Sequence, residues 1–193
     1  MEVVDRTLKE IEWITGLSPT HYKNICRGDL NSDLEHMRLP LWKPFSGQDK
    51  KGFKGLNSYQ VAFADLVVFT VIQALWFSKR SLVRAVVDLL KIVAERSDNP
   101  LLVKFKKDRT HIIELNFFKR DKSEEMIEFN KTNSSLVSFR YLINNRSIIH
   151  RLILLNRTDY TIIKLELNLR KAKVLTSMRF NLNELHELVK SRL

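Results

Sequence analysis

Thr7-Leu-Lys-Glu-Ile-Glu-Trp-Ile-Thr-Gly16 runs directly into Leu17-Ser-Pro-Thr-His-Tyr-Lys-Asn-Ile-Cys-Arg27. Thr7 with Glu10 three residues on is the pattern of a capping box. Leu8, Ile11 and Ile14 fall on one face of the helix it opens. Gly16 permits a tight turn. Ser18 is a favoured N-cap and Pro19 a favoured first-turn residue, which predicts a second helix from there. On that helix Tyr22 and Ile25 share the inward face. Thr20, His21, Lys23, Asn24 and Arg27 share the outer one. Two short helices about a glycine turn, the second with a polar outer face, is the arrangement that proteins lay in the major groove of DNA.

Working outward, residues 28–57 read as irregular, punctuated by Pro40, Pro44, Gly47, Gly52 and Gly55. Trp42 and Phe45 are expected to pin this stretch to the helices. Gln48-Asp-Lys-Lys-Gly-Phe-Lys-Gly55 reads as a basic turn between two short strands. Asn57 or Ser58 is then expected to cap a long helix to about Phe77, and Ser81 another to about Ala94 or Glu95. The apolar run 61–77 contains Asp65, Thr70 and Gln73. It falls short of the roughly 20 residues of a membrane span, so it reads as a core helix.

After Pro100 the period changes. Segments 102–106, 112–118, 136–142, 148–155 and 160–169 are alternating or β-branched, with turn signals at Asn144-Asn145 and 156–159. Asn181 with Glu184 suggests a second capping box. Leu182, Leu185, Leu188 and Val189 give a terminal helix one apolar face. The expected fold class is α+β: an N-terminal winged helix-turn-helix domain over 1–99, then a small antiparallel-sheet domain with a C-terminal helix over 100–193. The second domain is assigned dimerisation or regulation.

The ordered set of elements resembles the MerR family of winged helix-turn-helix regulators. Leu17-Ser-Pro is similar to that family's turn into the recognition helix, and Lys23 falls where the family has an arginine. Gly52-Phe53-Lys54 resembles the wing. Asp65-Leu66 and Ser81-Leu82-Val83-Arg84 resemble the helices after it. The resemblance spans about residues 7–92 and implies duplex DNA as the partner and a bacterial or phage setting. The chain departs from the family in a longer segment before the wing, in Val61 where the family has a tyrosine, and in lacking a long dimerisation helix.

The balance of charge fits an anionic partner. Of 33 Lys/Arg and 22 Asp/Glu, giving +11, residues 1–100 hold 14 and 12, and residues 101–193 hold 19 and 10. The second half is therefore the more basic. The single cysteine, Cys26, rules out an intrachain disulfide and a multi-cysteine zinc site. It reads as a buried structural thiol, consistent with a reducing cytoplasm, and the opening residues carry no secretory pattern.

Thr20, His21, Lys23 and Asn24 are the candidate base-reading residues, since Lys suits guanine and Asn suits adenine. Ser18, Arg27, Lys50, Lys51 and Lys54 are the candidates for holding phosphate, which positions a protein without reading sequence. His21, His36, His111, His150 and His186 show no metal-ligand spacing, and no nucleophile or phosphate-loop motif occurs. No enzyme, metal or cofactor is expected. The leading function is a sequence-specific regulator of double-stranded DNA, acting as a homodimer. The alternative is a protein-binding module, such as an antitoxin or phage regulator, that uses the basic β-rich half.

Overall fold

The computed structural model describes residues 3–27, 58–75, 78, 80–94, 108–118, 135–156, 159–164 and 173–193. It is an α+β fold with a five-stranded antiparallel sheet and a C-terminal helix. Strand β1 (Val3–Thr7) feeds directly into α1 (Leu8–Thr15), and α2 (Pro19–Arg27) follows the turn. Strand β2 (Ser58–Ala62) feeds in the same way into α3 (Phe63–Leu75), and α4 (Arg80–Ala94) comes next. The sheet is built from β3 (His111–Phe118), β4 (Ser135–Ile143), β5 (Arg146–Leu155), β6 (Tyr160–Lys164) and β7 (Val174–Asn181). Helix α5 (Leu182–Ser191) closes the chain.

Two compact units result. The first takes residues 1–75, 94–104 and 184–193, and the second takes 76–93 and 105–183. The boundary expected at 99/100 falls outside the described residues.

In the first unit β1 and β2 pair antiparallel, Val3 opposite Ala62 and Thr7 opposite Ser58. Ser58 therefore does not cap a helix. Its segment is extended because β1 offers it a full ladder, and α3 starts five residues later, at Phe63. Asn57 lies outside the described residues. Helix α3 is buried nearly all round, from Ala64 through Phe69 and on to Leu75. That is the mark of a core helix. Helix α1 packs against it, with Ile11 and Ile14 buried and Leu8 half-buried.

The sheet of the second unit has the order β6-β5-β4-β3-β7, every neighbour antiparallel. Asn144 and Asn145 take φ of 48° and 63°, the left-handed pair that a two-residue hairpin requires. One face carries Ile113, Leu115, Val137, Phe139, Tyr141 and Ile153, all buried. Tyr160 lies on that face, and its hydroxyl donates to Asp88 of α4; burial first, and then this bond, raise the Tyr160 pKa.

The start of α4 and the presence of strand β7 differ from expectation, and the far end of the strand after Asp159 lies outside the described residues. Helix α4 begins at Arg80, so Ser81 sits in its first turn rather than capping it. The strand after Asp159 is assigned only to Lys164, and 165–172 lie outside the described residues, as does 102–106. Strand β7 has no counterpart in the sequence reading.

Candidate nucleic-acid interface

The capping box at α1 is complete. The Thr7 N–H donates to Glu10 Oε2 at 2.6 Å and the Glu10 N–H to Thr7 Oγ1 at 3.3 Å. The Thr7 N–H foremost, and then the Thr7 hydroxyl donating to the same Oε2 at 2.9 Å, hold the Glu10 carboxyl below the usual glutamate range. At the other end Gly16 takes φ +76° and its N–H donates to Glu12 O at 2.7 Å. Thr15 helps to end the helix: its hydroxyl donates to Ile11 O at 2.7 Å and accepts from the Leu17 N–H at 3.1 Å. The last carbonyls of α1 have a further donor, since Arg192 Nη1 reaches Ile14 O at 2.9 Å and Trp13 O at 3.4 Å. A guanidinium at a helix C-terminus supplies both hydrogen bonds and charge of the favoured sign.

The turn then sets α2. The His21 N–H donates to Ser18 Oγ at 3.3 Å, so Ser18 is its N-cap. Tyr22 and Ile25 are buried, and the Tyr22 ring meets Phe69 of α3 edge-on at 5.3 Å. Anchoring these two residues inward gives Thr20 an exposed position and leaves His21 and Asn24 half-buried. Lys23 and Arg27 lie on α2, but their side chains are outside the described residues. So are Lys50, Lys51 and Lys54 with the expected wing, together with His36, Trp42 and Phe45. Cys26 is half-buried rather than fully enclosed; four residues on from Tyr22, it falls at the margin of the buried Tyr22/Ile25 face.

Trp13 was not singled out by sequence reasoning, and it stands 73% exposed on α1. The signal was present, since a residue two on from Ile11 lies on the opposite side of a helix from the Ile11/Ile14 face.

The remaining histidines are held by neighbours. His111 Nδ1 lies 2.8 Å from the Tyr141 hydroxyl in the buried core of the sheet unit. The His186 ring lies 4.2 Å from that of Phe63, and burial lowers its pKa to about 4. His150 Nε2 lies 2.9 Å from Ser138 Oγ. Burial first, then Arg140 and Arg151, lower its pKa.

Sequence reasoning did not anticipate a polar cluster on the second face of the sheet. Glu114 of β3 lies opposite Arg140 on one side and Arg179 on the other, and Arg140 lies opposite His150. Arg140 Nη1 is 3.0 Å from Glu114 Oε1, and Arg179 Nε is 3.5 Å from Oε2. Each side chain alone is unremarkable in sequence, and only the strand register brings them together. No group of His, Cys, Asp and Glu among the described residues has the disposition of a metal site. No described helix is long and apolar enough to cross a membrane. Compared with family models, curated proteins and solved structures, the chain matches none.

Proposed function

We propose that the chain is a sequence-specific regulator of double-stranded DNA whose first unit acts as a winged helix-turn-helix. The observation that carries this reading is the anchoring of α2. Tyr22 and Ile25 face the α3 side, so Thr20, His21 and Asn24 occupy the remaining surface of a helix set by a capped turn. Lys23 falls on the same outer arc by helical spacing. In this reading Thr20, His21, Lys23 and Asn24 meet base edges. Ser18, Arg27, Lys50, Lys51 and Lys54 hold phosphates.

The regulator acts as a homodimer associating through the sheet half. Strand β7 supports this: among the described strands it is an edge of the sheet, and it exposes Val174, Leu175 and Met178. An open edge with apolar side chains invites a second strand.

The test begins with selection of bound fragments from random duplex DNA. Affinity is then measured on the selected site and on a scrambled duplex at several salt concentrations. Lys23→Ala and Asn24→Ala are each expected to cost about 1–3 kcal/mol on the selected site and to relax its preference. Lys54→Ala is expected to weaken both duplexes alike and to reduce the salt slope by about one. Unchanged preference in the α2 variants overturns the assignment of that helix.

A further inference from the structure

The cluster on the second face of the sheet has the composition of a ligand site. One carboxylate, Glu114, is set between two guanidiniums, Arg140 and Arg179, which leaves one positive charge in excess. Glu114 is the more enclosed, with its side chain 14% exposed against 34% and 55% for the two arginines. Asn116 Nδ2 donates to Glu114 Oε1 at 2.9 Å. The carboxylate is thereby held from three directions and works as a fixed strut. The strands bearing the arginines flank β3, so their Cα atoms lie roughly 10 Å apart. Both side chains nevertheless converge on the one carboxylate.

A guanidinium has five N–H donors in a planar fork that matches oxyanions. Glu114 engages one nitrogen of each arginine. Arg140 Nε is buried and has no acceptor among the described residues. Leaving such a donor unsatisfied is costly in a folded protein. Beside Arg140 stands His150, whose Nε2 is shared with Ser138 Oγ at 2.9 Å. Ser138 is itself buried. Burial first, then Arg140 and Arg151, lower the His150 pKa and so disfavour its charged form.

We infer that the Arg179–Glu114–Arg140–His150 row is a binding site for a phosphate-class oxyanion, held by the forks of Arg140 and Arg179. A phosphate offers several acceptor oxygens to donors arriving from two sides, which suits two forks braced at a fixed separation. The same chemistry is presented by a free phosphate or nucleotide and by a nucleic-acid backbone. The site is independent of α2 and stands whether or not α2 reads bases.

The experiment follows backbone amide shifts of the full chain during two titrations, one with inorganic phosphate and one with a twelve-nucleotide single strand. Saturable shifts centred on Glu114, Arg140 and His150 are expected, weakened tenfold or more in Arg179→Gln, whose exposed side chain can be replaced without opening the sheet. Arg140→Lys keeps the charge but loses the fork and is expected to weaken binding as well. If the strand binds far more tightly than phosphate, and Arg179→Gln reduces its salt slope by about one, the source is a nucleic-acid backbone. Comparable binding of the two points to a free phosphate or nucleotide. Absence of saturable shifts with both probes, or shifts that neither variant alters in a sheet of unchanged amide dispersion, overturns the site.

Discussion

Gly16 is the residue on which the turn depends. Its φ of +76° is open to glycine and strained for a residue with a side chain. A Cβ there would also lie 3.3 Å from Gln73 Cγ. Gly16→Ala is therefore expected to destabilise the fold by about 1–2 kcal/mol, read as a lower urea midpoint. His186 makes a different kind of demand. Folded, its ring takes up a proton only near pH 4, and unfolded it does so near about 6.5. Between those values the unfolded chain binds more protons, so this contribution is intact above the upper value and falls as pH falls through the window. His150 acts in the same direction. His186→Gln is expected to flatten the pH dependence of the urea midpoint between about 4 and 6.5; an unchanged profile would show that the dependence has another source. The capping pair Thr7/Glu10 and the left-handed Gly16 were legible because a cap needs only its near neighbours. The Glu114–Arg140 pair was not, because 26 residues separate its members and neither announces the other.

Among the elements, α1, α2 and the strands β3 to β5 could be read from spacing, since each buries a regular face. Strand β2 could not. Its partner β1 lies more than fifty residues away in the chain, and its apolar residues run on into α3, so the two elements read as one helix. Strand β7 failed for the opposite reason: Val174 through Arg179 are all exposed, and a strand that buries neither face has no alternation to detect. That same exposure gives β7 its proposed role at the dimer edge. Leu175 is 70% exposed, so Leu175→Lys leaves the core intact while placing a charge on the edge, a device by which strands avoid pairing. The variant is expected to sediment as a monomer at concentrations where the parent chain is dimeric. Sedimentation identical to the parent would remove β7 from the interface.

At the scale of the molecule, the first unit is discontinuous in sequence, drawing on residues 1–75 and again on 184–193. The late segment contributes named contacts. Arg192 caps α1, His186 meets Phe63, and Arg6 Nη2 donates to Leu193 O at 3.2 Å. Removing 184–193 is therefore expected to speed hydrogen exchange in α1 and α3 while leaving β4 and β5 protected. Equal protection with and without the segment would show that these contacts add little. The arrangement also has a consequence for how the protein is made. Ribosomes add roughly 5–20 residues per second, and 109 residues separate Leu75 from Glu184. For roughly 5–20 s of synthesis the nascent α1–α2 pair therefore waits without the arginine that finishes α1 and the ring that lies against Phe63. A chain whose translation stalls within that interval carries the whole of α2 on an incomplete support.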